Sequence, residues 1–473
     1  MIRRLLRSRG MVKFRKNRLA LAASGVIALY GAIFLAIISM EIYDGVAQAF
    51  GGEAKFALRE GTRIRVLPRQ NPGFLEARTP SERYNDLRWH HQRMERIFDR
   101  DLEGMDDPWV QALSELDLAE RKIPRGELAE VRARWGAFDE AFLVLDELYL
   151  DRDDVLDLVG AIRYEIDELR GDLAGAEPAA RTELEAEIAA LEEELAPELE
   201  YLNELEPEFF AQEDATEAAL RELMPMPTGW GGVKYGFRTF LGSDVSGRSI
   251  SCRAFYSIKV AFQIGFVVAG ISVLIGTVLG AAGAFYAGWV DAIVMWLVTT
   301  LSSVPYLVLL VVLAYMFTGS QLFDNPREYP ELQLVKLYTA MGLAFWIGTA
   351  RVIRGEVMKI KELEYVQAAT AIGFGRVYIL LRHVVPNTAH IMFINFSLLF
   401  IGAIKSEVIL SFLGLGVSGQ PSWGTMISLA KDDLSNYFFW EIGSASFLLF
   451  VLVLAFNIVS DALQDAFDPR HVS

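Results

Sequence analysis

The chain has 473 residues, 52% of them hydrophobic and 22% charged, with a formal net charge of −16. The charge is uneven: Glu41 to Ile250 carries −23 and the remainder +7, so an acidic block sits in a basic, apolar frame, which argues against a nucleic-acid partner. The single cysteine, Cys252, excludes an intrachain disulfide framework and a cysteine-based zinc site.

In chain order, charge-free runs mark the frame: Leu19 to Met40, Val260 to Val290, Ala292 to Phe323, Leu337 to Ala350, His383 to Ile404 and Ile442 to Ser460. About 20 apolar residues cross a bilayer as helix, so the runs predict six transmembrane helices, the fourth short but extendable through Ile353. A signal peptide is the rival reading of the first run. It is long for one, and Met40-Glu41-Ile42-Tyr43 lacks a small-residue cleavage pattern, so a retained anchor over 19–40 is expected. If the basic N-terminus (1–18) is cytoplasmic, the inside segments hold fifteen Lys and Arg, while the outside loops hold only Arg327, Lys336 and Lys431. Both termini, including the tail 464–473, are then expected in the cytoplasm and the acidic block outside. Pro305 should kink the third span, and Gly276 and Gly280 have the small-xxx-small spacing of closely packed helices.

The block spans 41–240. Val155, Val159, Ile162, Ile166, Leu169 and Leu173, then Leu184, Ile188, Leu191 and Leu195, keep a spacing of alternating three and four residues on either side of a Gly-rich, Pro178-containing turn. Two helices packed antiparallel along these narrow seams would form a coiled-coil hairpin over about 150–205, with Pro197 ending or kinking the second. Its strong acidity suits either a solvated spacer or a docking surface for a basic partner. Thr62 to Leu87 is less periodic and receives no assignment. His90 and His91, with Glu95 four residues after His91, read as part of a surface helix and not as metal ligands.

The dipeptide Gly-Lys is absent from the chain, so there is no P-loop to hold ATP. A formal GxGxxG, Gly414 to Gly419, closes a transmembrane helix instead of following a strand, and its glycines mark the helix end. The stretch richest in chemical information is the expected cytoplasmic loop 354–387, which holds Glu364, Ala368, Ala369, Gly373, Ile379, Arg382, His383, Pro386 and Asn387. It reads as a short helix, a glycine stop, a second short helix and a closing proline. Ala368 and Ala369 would admit a partner surface close to the backbone, and Gly373 supplies a bend that a side chain resists.

At these residues the sequence resembles the permease subunits of ATP-binding-cassette importers. Their cytoplasmic loop carries Glu, three residues, Ala-Ala, three residues and Gly, then Ile and Pro. Within them it is similar to the C-type subunit of dipeptide and oligopeptide permeases, through Arg382-His383-x-x-Pro386-Asn387, Ser411-Phe412-Leu413-Gly414-Leu415-Gly416, Pro421-Ser422-Trp423-Gly424 and Asp465-Ala466-Phe467-Asp468-Pro469-Arg470. The resemblance covers about Gly242 to Arg470 plus the first span. It departs at Ser249, where the family tends to have Asp, and in the large block, for which the family offers no counterpart.

The resemblance implies an all-α integral membrane protein of the bacterial inner membrane, multi-pass, with a permease core over 241–463; the insert is expected to be mainly helical from its own periodicity and periplasmic from the Lys and Arg count. It implies no enzymatic activity in this chain and no cofactor bound by it; ATP and Mg are used by partner subunits. The partners implied are a second permease, two ATPase subunits, a periplasmic substrate-binding protein and the lipid bilayer. Glu364, Ala368, Ala369, Gly373, Ile379 and Pro386 are the expected coupling residues to the ATPase, with Glu364 placed to suit the helix dipole. Lys405 and Glu407 are costly charges in the fifth span, projecting to different faces of one helix. Glu407 matches a family Glu, whereas Lys405 stands where the family usually has an apolar residue. With Pro305 they are candidates for the translocation path or a subunit contact. Two further readings compete with it: a membrane-anchored scaffold whose acidic hairpin recruits an envelope partner, and an ion-gradient transporter, which lacks a detectable inverted repeat and leaves the loop unexplained.

Overall fold

A computed structural model describes residues 17–49, 80–98, 128–173, 178–244, 246–318, 330–417, 419–431, 434 and 438–467. The basic segment 1–16, the stretch 62–79, hairpin-turn residues 174–177, the end of the third predicted run (319–323), Arg327, Ser418 and the motif residues 468–470 lie outside these. Among the described residues every regular element is helical. The chain divides into two compact units, Met1–Arg63 with Arg248–Ser473, and Ile64–Gly247.

The first unit holds α1 (Arg18–Ala49), α6 (Ile250–Tyr286), α7 (Gly288–Ser302), α8 (Tyr306–Thr318), α9 (Pro330–Ile360), α10 (Glu364–Ala371), α11 (Arg376–Ile379), α12 (Ala389–Phe412), α13 (Trp423–Ala430) and α14 (Trp440–Phe467). Three single helices, α1, α6 and α14, are long and apolar enough to cross a membrane, as is the continuous helical stretch Arg376–Phe412. The pair α7 and α8 makes a fifth candidate if taken as one broken span. Helix α9 contains the fourth predicted run. Leu337, Ala340, Met341, Ala344, Phe345 and Ala350 along it are all buried, so much of its apolar surface faces protein.

The close spacing of α6 and α9 comes from Gly276 and Gly280. A Cβ on Gly280 would sit 2.4 Å from the Ala350 carbonyl oxygen, and one on Gly276 would sit 2.9 Å from that of Trp346. The expected close packing is therefore present, and α9 is the partner.

Two expectations for this unit need correction. The second span was read from Val260, but α6 begins at Ile250, capped by Ser249, whose Oγ accepts from the Cys252 N–H at 3.2 Å. The charges in that first stretch are buried and paired: Arg253 meets Glu441 at 2.5 Å and Lys259 meets Glu41 at 2.6 Å. The third predicted run is not one kinked helix: it divides into α7 and α8, which meet at 92°. Pro305 lacks an N–H and disfavours helical geometry in Val304, so the last helical bond of α7 runs from the Ser303 N–H to the Thr299 carbonyl, Val304 reaches only the Leu301 carbonyl, and α8 restarts with the Leu309 N–H on the Pro305 carbonyl.

The second unit is built from α2 (Pro80–Phe98), α3 (Leu128–Leu173), α4 (Pro178–Leu223) and α5 (Gly229–Thr239). Helices α3 and α4 are 46 residues each and antiparallel, as the cross-pairs Ala141–Thr216, Arg152–Glu206 and Arg170–Glu192 show. Near the tip they enclose Ile162, Ile166 and Ile188, with Leu169, Leu173, Leu191 and Leu195 packed around them. At the base, α2 joins them around Tyr84, Met94, Phe138, Phe142, Leu145, Phe209 and Leu223.

The helices run well past the predicted 150–205, and α4 passes through both Pro197 and Pro207 instead of ending at the first. A proline removes one backbone hydrogen bond and crowds one carbonyl, and long packing against α3 offsets that cost. The histidines are not on the surface. His90 and His91 are buried, and His91 Nε2 lies 2.6 Å from Asp139 Oδ1 with its ring stacked on Phe142. Their helix is amphipathic, and a His can fill the inner face when a carboxylate meets its ring nitrogen.

Candidate functional site: an exposed helical loop

Helix α10 starts at Glu364, which is exposed at the first helical position, where a carboxylate offsets the positive end of the helix dipole. The helix ends because Gly373 takes a φ of +92°, which lets the Phe374 N–H return to the Ala369 carbonyl at 3.2 Å. A Cβ on Gly373 would meet no atom within 4 Å, so the glycine is required by conformation and not by space.

The two alanines divide between faces. Ala369, with Val366, is buried against Ala281 and Ala284 of α6, Ile353, Val357 and Ile360 of α9, and Ile379, Leu380 and Val384. Ala368 is exposed. Adjacent helical positions are about 100° apart, so one alanine lets the loop sit closely on its own bundle and the other leaves an open patch. Ile379 belongs to the buried set and Pro386 is half-buried.

Pro386 does not close the second short helix. From Arg376 the chain continues through a π turn at Leu380–Val384 and a 3-10 turn at Val385–Thr388 directly into α12. The proline sits in the first turn of the 3-10 segment, where its missing N–H costs little. Asn387 locks this passage to α10: its Nδ2 donates to the Tyr365 hydroxyl at 2.6 Å and to the His383 carbonyl at 2.7 Å.

Sequence reasoning missed the outer surface of the loop. Ile372, Phe374, Val377, Tyr378 and Leu381 are all exposed, so with Ala368 they make an apolar patch on a polar stretch of chain. Such a patch marks an interaction surface. The available signal was apolar residues crowded around Gly373 and Gly375, where no buried face of a helix accounts for them.

Nearby, Arg354 makes two bonds to Asp291, at 2.6 and 2.7 Å, and Arg351 donates to Ser302 at 2.8 Å, which tie α9 to α7. At the opposite end of the bundle lie the Glu41–Lys259 and Arg253–Glu441 pairs. The Trp423 indole there donates to the Ala254 carbonyl at 3.0 Å. Glu407, the candidate for the path or a subunit contact, belongs to this end. It is buried within its own chain, and one carboxylate oxygen accepts from Ser411 Oγ and Ser422 Oγ, both at 2.6 Å. Ser422 also caps α13, so Glu407 fixes the α13 N-terminus against α12. Cβ atoms on Gly416 and Gly424 would strike Ser411, which is why the two glycine-bearing motifs lie together. Lys405, two residues earlier, faces the other way and is exposed.

Comparison with known proteins gives one consistent answer. The family described as binding-protein-dependent transport system inner membrane component matches residues 272–472. The chain is 33% identical over 234 residues to an oligopeptide transport system permease protein of Haemophilus influenzae, covering 49% of this chain and 70% of that one. It is 31% identical over 232 residues to a dipeptide transport system permease protein of Bacillus subtilis, covering 49% and 68%. A peptidoglycan transport system permease protein of Agrobacterium fabrum is 30% identical over 242 residues, covering 50% and 59%. With the apolar helices and the loop geometry of α10, these similarities make the chain a member of the binding-protein-dependent transport permeases, in the branch of the oligopeptide and dipeptide ABC permeases.

Proposed function

We propose that the chain is one of two permease subunits of an ATP-driven importer for peptides or a related small solute, and that α10 is the element through which partner ATPases drive it. The observation that carries this reading is the two-sided construction of α10. Val366 and Ala369 seat it on the ends of α6 and α9, while Ala368, Ile372, Phe374 and Tyr378 are left open for another surface. ATP and Mg would be handled by two ATPase subunits. Their closure would displace α10 and bias an inward-open against an outward-open arrangement through contacts that differ between the two.

In this reading six spans cross the inner membrane, α9 being the fourth and α7 with α8 the third. Both termini face the cytoplasm, and the insert with its coiled-coil hairpin is periplasmic, on the side where a substrate-binding protein delivers cargo. The acidic hairpin acts there as a spacer or a contact for a basic surface. Mild crosslinking in membranes followed by purification through a tag on this chain tests the proposal. Recovery of two ATPase chains and a second permease, with crosslinks from Ala368→Cys or Ile372→Cys to the ATPase, is expected. Recovery of this chain without an ATPase, or crosslinks from those positions only to lipid, would refute it.

A further inference from the structure

The break between α7 and α8 is tied to the helix that carries Lys405, an ammonium with no counterpart among the described residues. Between α7 and α8 the helical path is left at Val304 and Pro305: Ser303 still bonds the Thr299 carbonyl at 3.1 Å, Val304 reaches only the Leu301 carbonyl at 3.4 Å, and all three residues are exposed. Non-helical backbone at membrane depth persists only where protein covers it or where water reaches it. The first residue of α8 is tied to α12 at a defined height, because the Tyr306 hydroxyl lies 2.6 Å from Ser406 Oγ. The residue before Ser406 is Lys405, exposed and without an ion-pair or hydrogen-bond partner among the described residues.

Three surroundings can accommodate that ammonium: lipid phosphate, a carboxylate of a neighbouring subunit, or a wet site that receives an anion. Lipid is disfavoured by direction. Lys405 is about 10 Å along α12 from its C-terminal end at Phe412 and about 24 Å from its N-terminal end at Ala389. Helical side chains lean toward the N-terminus, so this one leans away from the nearer boundary and deeper into the apolar layer. Between the two remaining surroundings, the exposed polar break of the third span favours water over a packed helix.

We propose that the Ser303–Pro305 break and Lys405 line a wetted site in the transport path that receives the terminal carboxylate of a peptide. The proposal rests on the permease reading above and adds to it a charge requirement on the cargo. Its chemistry is an ammonium meeting a carboxylate, with the exposed Arg351 guanidinium, 2.8 Å from Ser302 Oγ, as a second cation beside the break, so discrimination by charge is expected and discrimination by sequence is not.

The test uses the full importer in proteoliposomes with its binding protein, comparing uptake of one labelled tripeptide as free acid and as C-terminal amide. Lys405→Gln should lower the ratio of acid to amide uptake about tenfold relative to the parent complex, and Lys405→Arg should restore it. Because the binding protein is the same in every arm, its own preference cancels from the comparison. An unchanged ratio in Lys405→Gln overturns the proposal, as does loss of the second permease from that variant, which would make Lys405 a subunit contact. Uptake of neither peptide by the parent complex would sink the peptide reading together with this proposal, whereas uptake of both, indifferent to Lys405, sinks this proposal alone.

Discussion

Gly280→Ala is the smallest change that tests the packing on which the membrane unit depends. The added methyl would sit 2.4 Å from the Ala350 carbonyl oxygen and 3.0 Å from its Cα. Comfortable separation for such atoms is about 3.5 Å, so relief requires a shift of roughly 1 Å. The opposing atoms are backbone and cannot rotate aside; α6 and α9 must separate. Gly276, one turn away, already faces Thr349 Cβ at 2.6 Å on the same measure, so little slack exists along the interface.

Overpacking of this kind costs about 1–3 kcal/mol. On the scale of a domain of 150–250 residues that is a fall in Tm of roughly 2–12 °C. Gly270 on the same helix provides the control, because nothing lies within 4 Å of a Cβ built there. Gly270→Ala should leave Tm unchanged or raise it, since alanine favours helix over glycine by up to about 1 kcal/mol. Thermal unfolding of the three purified proteins in one detergent decides the matter. If Gly280→Ala melts with the parent while Gly270→Ala falls, the closeness of α6 and α9 does not stabilise the unit and the argument fails.

The divided alanines make a second prediction: Ala369→Trp should lower Tm and detach α10 through overpacking of its seat, whereas Ala368→Trp should fold normally and lose ATPase co-purification. Equal behaviour of the two variants would show that the faces are not distinct. In the insert, burial raises the pKa of Glu213 and the neighbouring Arg83 only partly opposes this, so the favourable state of Glu213 is complete below about pH 4.5 and is lost as pH rises through its raised value. Glu213→Gln should therefore protect the insert from protease at pH 7 relative to the parent and confer no advantage at pH 4; equal protection at both would exclude this cause. Replacing residues 158–198 by a short Gly-rich turn should leave the three-helix base around Phe138 and Phe209 resistant to protease and the ATPase bound; collapse of the base would show that the tip cluster around Ile162, Ile166 and Ile188 holds it.

What could be read from the sequence was whatever depends on local pattern. The two long insert helices followed from the spacing of Val159, Ile162, Ile166 and Leu169, because one helix face must be apolar to pair with another. Gly373 and Gly414 were legible as helix ends, since each takes a positive φ (+92° and +79°) that other residues resist. The features that escaped depend on distant partners. The reach of α6 back to Ile250 could not be seen because Arg253 and Lys259 looked like boundary charges, and their carboxylates, Glu441 and Glu41, are 188 and 218 positions away. The same holds for Glu407: its two hydroxyl partners are 4 and 15 residues on, and only the return of α13 onto α12 brings Ser422 to it.

That contrast bears on how a push at α10 would travel under the proposed mechanism. Val366 and Ala369 touch α6 and α9 together, and these two helices are held at backbone contact by Gly276 and Gly280. A force on α10 therefore moves α6 and α9 as one body instead of sliding one past the other. The opposite end of that body is fixed by the Arg253–Glu441 and Lys259–Glu41 pairs and by Trp423 on the Ala254 carbonyl, so translation is resisted there and tilt is the remaining freedom. The break at Ser303–Pro305 lies along the same body, joined to α9 by Arg351 on Ser302 and to α12 by Tyr306 on Ser406. A tilt of α6 and α9 would thus be felt first at Val304 and Pro305, where the helical ladder is already interrupted and fewer hydrogen bonds have to break for the path to widen.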